Sequence, residues 1–368
     1  MSNRLREIEA LGQSIWIDNI SRQLLDDGTM RRLFEKDGIT GVTSNPTIFE
    51  KAMGHSDRYD DAFRETLDET REPQEIFEQL AYRDIRDAAD LLRETFERTK
   101  GQDGYVSFEV PASLAFDAGK TIEAAQRYKA EIDRPNVLIK VPGTGDGVEA
   151  FEGLTALGIN VNVTLLFAVE RYEAIAEAFL RGLERRVEAG ESIDKSASVA
   201  SFFVSRVDSK VDKALEGTGR EDLRGKAAVA NAKLAYESFQ RIFSGPRWEP
   251  LASKGARVQR PLWASTSTKN PAYSDTLYVD ELIGPDTVNT MPDQTIEAAR
   301  DHATAKRTID ADVAEAHRII DEVNAAGVDF DKIVMQELVD EGVKSFGDSY
   351  GSLLESIERK ASELVHAA

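Results

Sequence analysis

Short apolar or β-branched runs alternate along this chain with longer stretches whose apolar positions recur every three or four residues. Runs of that length bounded by Gly, Pro, Asn or Asp read as strands, and the longer period reads as amphipathic helix. Eight runs fit the strand pattern: Ser14–Asp18, Ile39–Thr43, Tyr105–Val110, Val137–Val141, Ile159–Thr164, Ser198–Val204, Pro261–Ser265 and Thr287–Thr290. Such alternation marks repeated βα units around a parallel sheet, and eight units predict an α/β fold closed as a single (β/α)8 barrel. Two stretches exceed the minimal unit. Residues 53–100, after strand 2, are charged and helical in pattern, with Ile76, Leu80, Ile85, Ala88, Ala89, Leu92 and Phe96 on one face. Residues 303–368 predict two or three more helices at the C-terminus, with Gly327 and Gly347 as breaks. Ser192–Ser196 and Gly245–Val258 read as ordinary loops, and no linker divides the chain, so one domain over 1–368 is expected.

The fourth run breaks its own rule. Asn136-Val137-Leu138-Ile139-Lys140-Val141-Pro142-Gly143 reads as a strand buried on both faces, yet it contains a lysine. Desolvating an ammonium is costly, and losing the proton relieves that cost and leaves a nucleophile toward carbonyls. The plain alternative is a lysine that ends its strand and extends into water. Other strands also end in polar residues. Asp18 closes the first run, Glu109 shares a face with Ser107 on the third, and Asn160, Asn162 and Thr164 share a face on the fifth. Ser201 lies on the sixth, with Phe203 and Arg206 after it, and Asn45 follows the second. Each has a structural reading: Asp18 as a helix cap, Asn45-Pro46 as a turn pair, Asn162 and Thr164 as an internal polar layer, Arg206 as the start of a helix. In a barrel, however, all these strand ends meet at one mouth, where active sites of this architecture lie. One cation and two carboxylates then converge there.

Composition narrows the function classes. Of 368 residues 41% are hydrophobic, ample for a large core. The net charge of −20 disfavours nucleic acid and anionic membranes as partners, and an anionic substrate requires a local positive site. There is no cysteine, so disulfide, thiolate and cysteine–metal chemistry are excluded. His55, His302, His317 and His366 lack metal-ligand spacing, so no metal site is expected. Gly143-Thr144-Gly145-Asp146-Gly147 imitates a phosphate loop but lacks the full glycine spacing, and reads as the tight exit from the fourth strand. No signal-peptide core or membrane span is visible, which makes a cytoplasmic protein the expectation.

Taken together, these segments resemble the transaldolases. Gly41-Val42-Thr43-Ser44-Asn45-Pro46-Thr47-Ile48 is similar to the family's Thr-Ser/Thr-Asn-Pro segment, and Ile139-Lys140-Val141-Pro142 to its lysine strand. Asn162-Val163-Thr164-Leu165-Leu166-Phe167 resembles its Asn-x-Thr-Leu segment, and Ser201-Phe202-Phe203-Val204-Ser205-Arg206 its Ser-x-Phe-x-x-Arg motif. The matches keep chain order from about residue 14 to residue 271, and the long insertion with Ala264–Pro271 resembles the larger bacterial subgroup. Where many members have Ser-Phe-Arg, this chain has Ser265-Thr266-Ser267-Thr268-Lys269.

The resemblance implies a TIM barrel that moves a dihydroxyacetone unit from sedoheptulose 7-phosphate to glyceraldehyde 3-phosphate, giving erythrose 4-phosphate and fructose 6-phosphate. It implies a Schiff base on Lys140, proton transfer by Asp18 and by Glu109 through a water oriented by Thr164, and no cofactor. It assigns Asn45, Asn162 and Ser201 to the three-carbon unit, and Arg206, Ser265 and Lys269 to the phosphate of its sugar-phosphate partners. Fructose 6-phosphate aldolases, related barrels that release free dihydroxyacetone, tend to be shorter, with Gln at the place of Glu109 and Tyr at that of Phe203. A non-catalytic sugar-phosphate-binding barrel is the third alternative, against which Lys140, Asp18 and Glu109 all stand. Monomer and homodimer are both compatible with the C-terminal helices.

Overall fold

The computed structural model describes residues 3–54 and 56–366, so His55 lies outside the described residues. Eight parallel strands close into a barrel in chain order: β1 (Gln13–Ile17), β2 (Ile39–Val42), β3 (Tyr105–Glu109), β4 (Val137–Pro142), β5 (Val161–Leu166), β6 (Ser198–Phe203), β7 (Arg260–Ala264) and β8 (Thr287–Met291). Pairing of β1 with β8, from Gln13 opposite Thr287 to Ile17 opposite Met291, closes the ring. Every predicted strand is present, with ends displaced by two residues at most. Two-residue periodicity inside each run sends one set of side chains to the barrel interior and the other to the helix layer. At the N-terminal end Asp103 accepts hydrogen bonds from Ser14, from Trp16 Nε1 at 2.8 Å and from Thr40 Oγ1 at 2.9 Å. That polar knot plugs the end opposite the site.

β4 runs directly into the helix Gly145–Ala156, whose first turn is capped by Thr144 Oγ1 accepting from Gly147 N at 3.0 Å. A Cβ on Gly147 would lie 1.9 Å from the Pro142 carbonyl oxygen, so this glycine serves close strand–helix packing. The glycine-rich exit is therefore a structural turn.

The insertion after β2 is helical: Pro46–Gly54, Asp60–Leu67, Pro73–Leu91 and Arg93–Arg98. An aromatic cluster seats it on β3, with Phe49 and Phe77 at 5.9 and 6.2 Å from Phe108. A buried network ties it to the segment after β1. Arg22 donates twice to Asp84 Oδ1, at 3.0 and 2.8 Å, and Tyr59 donates to Oδ2 at 2.6 Å. The tail contains Val313–Ala325 and a long terminal helix, Leu338–His366. Gly327, at φ +87°, breaks the tail as predicted, but Gly347 does not: it lies inside the terminal helix. Nothing crowds the position of its absent side chain, so it costs the helix only about 1 kcal/mol relative to alanine, too little to end it. Gly245–Val258 contains one helical turn, Glu249–Ala252, rather than loop alone. The terminal helix packs along the insertion, with Thr47 Oγ1 donating to Ser349 Oγ at 2.9 Å and Lys360 paired to Asp60 at 2.7 Å. Its N-terminal half crosses the C-terminal mouth of the barrel.

Candidate active site

Strand register builds the centre of the site. Glu109 pairs with Lys140 across β3 and β4, and Lys140 with Asn162 across β4 and β5, so three inward residues share one row. Lys140 is 5% exposed and does not extend into water. Its Nζ lies 3.1 Å from Glu109 Oε2 and donates to the Ser44 carbonyl at 3.2 Å. Besides proton loss, the expected convergence of a cation with carboxylates gives the buried amine a charge partner in its own layer. Burial pushes the Glu109 carboxyl above its ordinary 4.5, opposed by the Lys140 charge and assisted by Asp18. A carboxyl raised in this way, in contact with an amine, is suited to exchange a proton with it.

Asp18 leaves the end of β1 and is half-buried at the mouth. Desolvation raises its carboxyl, against the Lys140 charge and a 2.6 Å hydrogen bond from Thr43 Oγ1. Thr43 spends its one hydroxyl proton on Asp18, so Thr290 Oγ1, 2.7 Å away, donates to Thr43. Asp18 is thus held by a relay of two threonines, not by capping a helix.

In the same row as the lysine, Asn162 is fully buried. Its Nδ2 donates to Ser107 Oγ at 3.0 Å and its Oδ1 accepts from Ser201 Oγ at 2.7 Å. Asn45 does cap a helix: its Oδ1 accepts from Ile48 N at 3.1 Å, while its Nδ2 bonds to none of the described residues. Thr164 Oγ1 and Glu109 Oε1 are buried without a hydrogen-bond partner among the described residues. Both atoms are therefore available to a polar molecule bound beside Lys140.

The positive site lies across the mouth. Arg206 is the second residue of the helix Ser205–Ala214, its guanidinium carbon 5.3 Å from the Phe203 ring centroid. It forms no ion pair within 4.0 Å and no hydrogen bond to the described residues; burial lowers it, while Glu341 and Glu109 raise it. Desolvation and Arg206 lower the Lys269 amine, and Asp18 raises it, so this lysine stands near both. Ser265 bonds Ser205 at 2.8 Å, and Lys269 bonds Ser267 at 2.7 Å, not Ser265. Ser265 has φ +56°, a left-handed conformation for a non-glycine residue directly after β7.

Several neighbours escaped the sequence. Thr43 and Ser44 stand inside the motif Gly41–Ile48 but carry no signal of their contacts with Asp18 and Lys140, and Thr290 sits in an ordinary β-branched context. Phe346 of the terminal helix places its ring centroid 5.6 Å from Lys140 Nζ and 5.8 Å from the Arg206 guanidinium carbon. β5 bulges between Val163 and Leu166, and Leu165 takes φ +59°. A bulge beside a site re-aims side chains, and leucine carries no sequence signal for one.

Fold and site together define a (β/α)8 barrel with a lysine–carboxylate pair at its C-terminal mouth. Residues 15–357 match the model of the transaldolase/fructose-6-phosphate aldolase family, and the chain belongs to that family. It is 45% identical over 377 residues to a transaldolase of Trichodesmium erythraeum, with 99% of each chain covered. It is 48% identical over 358 residues to a transaldolase of Thiobacillus denitrificans, covering 96% of this chain and 99% of the relative. It is 47% identical over 362 residues to one of Acidothermus cellulolyticus, covering 98% and 97%.

Proposed function

We propose that this protein is a transaldolase acting on sugar phosphates as a single barrel domain over residues 1–368, in the cytoplasm. The observation that carries the reading is the Lys140–Glu109 pair, 3.1 Å apart and buried at the barrel mouth, in a chain whose relatives are named transaldolases. Glu109 takes a proton from the Lys140 ammonium, and the freed amine attacks the ketose carbonyl. Glu109, through a water held by Thr164, returns protons as the carbinolamine loses water to give the imine. Asp18 then removes the proton of the C4 hydroxyl, the C3–C4 bond breaks, and its electron pair enters the protonated imine to form an enamine. The imine is the electron sink, so the step requires no metal or organic cofactor. Asn162, Ser201 and the free amide of Asn45 hydrogen-bond the three-carbon unit, and Phe203 supports Arg206 from below. Arg206, with Lys269 and Ser265, holds the terminal phosphate, the local positive site demanded by a chain of net charge −20. The cleaved aldehyde leaves, the enamine carbon bonds to the carbonyl carbon of an acceptor aldehyde while Asp18 returns its proton to the new hydroxyl, and water hydrolyses the imine to free the product and the Lys140 amine.

The test is to incubate the protein with fructose 6-phosphate and erythrose 4-phosphate and follow the products. Sedoheptulose 7-phosphate and glyceraldehyde 3-phosphate in equal amounts are expected. Equal turnover without acceptor, releasing free dihydroxyacetone, would make the chain an aldolase instead.

A further inference from the structure

We infer that Phe346 is the residue that keeps bulk water, beyond the one Thr164 and Glu109 hold, from the Lys140 adduct, and so sets how much of the bound three-carbon unit is transferred and how much is lost. The inference rests on the transfer reading above. Phe346 is 6% exposed, and its ring spans the two cations of the site, 5.6 Å from Lys140 Nζ and 5.8 Å from Arg206. It carries no proton donor or acceptor, so it shields the lysine without offering a route for water.

Two further features bring it there. Gly342 lies one helical turn before Phe346, on the same face. A Cβ at Gly342 would approach Leu165 Cδ2 to 2.9 Å, so glycine lets the helix sit this low without pushing the Leu165 side chain aside. The partner surface is the β5 bulge, where Leu165 holds φ +59° and is fully buried. A strained strand residue thus meets a helix glycine one turn before the apolar ring that covers the lysine amine. The rest of the terminal helix is anchored on the insertion, at Ser349 and Lys360. The roof is therefore built into the fold rather than supplied by substrate.

The reaction it suppresses balances as follows. The enamine takes a proton at carbon and becomes an iminium ion. Water adds to the iminium carbon and gives up one proton. The carbinolamine then transfers a proton to nitrogen, the carbon–nitrogen bond breaks, and dihydroxyacetone leaves the free Lys140 amine. Transfer competes with this loss for the same enamine.

The experiment compares the unsubstituted protein with Phe346→Ala and Phe346→Leu. For each, dihydroxyacetone release and transfer to erythrose 4-phosphate are measured from fructose 6-phosphate, and the Lys140 adduct is trapped with borohydride. Phe346→Ala should raise the ratio of release to transfer about tenfold while still forming the adduct, and Phe346→Leu should raise it less. A purely structural role would lower both rates together. An unchanged ratio in variants that form the adduct would overturn the inference. Should Phe346→Ala form no adduct, the ratio of Phe346→Leu decides by the same criterion. Absence of a Lys140 adduct in the unsubstituted protein would overturn the transfer reading and this inference with it.

Discussion

Replacing Lys140 with methionine isolates the electrostatics of the site from its chemistry. The substitution keeps the length of the side chain and removes its charge, leaving the Glu109 carboxyl buried opposite an apolar group. At 3.1 Å the pair attraction is about 5 kcal/mol with the effective dielectric that suits protein sites, and removing one partner of a buried pair typically costs about 3–5 kcal/mol. Burial already raises Glu109 above 4.5, and the two opposing contributions of Lys140 vanish in the variant, so the carboxyl rises further. A carboxyl with a raised folded-state pKa contributes stability that is fully present below its unfolded value and is lost as pH rises toward the folded value. The two proteins should lose stability in parallel just above pH 4.5, and Lys140→Met should then fall behind, by up to about 1.4 kcal/mol per pH unit, once pH passes the raised value that Glu109 has beside Lys140. Urea unfolding at several pH values measures this. Adding Glu109→Gln to Lys140→Met removes the titrating group and should abolish the slope. If Lys140→Met loses stability equally at every pH, or if the double variant keeps the slope, the two side chains are not a charge pair in the folded protein.

Other outcomes follow from the same geometry. Burial pushes Asp208 up to about 7 against two hydrogen bonds, so its ionisation destabilises the fold as pH rises from 3.8 toward 7, by about 4 kcal/mol; Asp208→Asn should flatten that part of a stability–pH profile. Asp18→Asn should slow carbon–carbon cleavage by about 10²–10⁴-fold while a borohydride-trapped imine still forms, because the residue removes a proton only after the imine exists. Arg206→Ala should raise KM for fructose 6-phosphate by about 10–100-fold, the worth of a charge-assisted hydrogen bond, and leave adduct formation from unphosphorylated dihydroxyacetone unchanged.

The barrel was legible because its strands are short apolar runs set off by Gly, Pro and Asn, and because helix-period stretches lie between them. Asp18, Glu109 and Lys140 were legible for one physical reason: a charge closing an apolar strand is expensive, so it stands out against its neighbours. The resemblance supplied the rest of the chemistry. What stayed hidden carries no such cost. Phe346 occupies a helix position whose apolar spacing, with Val343, Tyr350 and Leu353, is that of any packed face. Thr43 and Thr290 suit strands by propensity, and the chain from Thr290 through Thr43 to Asp18 depends on barrel closure across β8, β1 and β2. The clean alternation of Asn160, Asn162 and Thr164 gave no sign of the bulge at Leu165, since leucine does not favour positive φ. Gly347 misled for the converse reason: a single exposed glycine weakens a long helix without ending it.

The most direct test of the central claim is borohydride reduction of the protein with and without fructose 6-phosphate, followed by peptide mass mapping. A three-carbon adduct on Lys140 that depends on substrate is the predicted result. No adduct, or an adduct on another lysine, would contradict Lys140 as the nucleophile and leave its pairing with Glu109 a structural feature of the barrel.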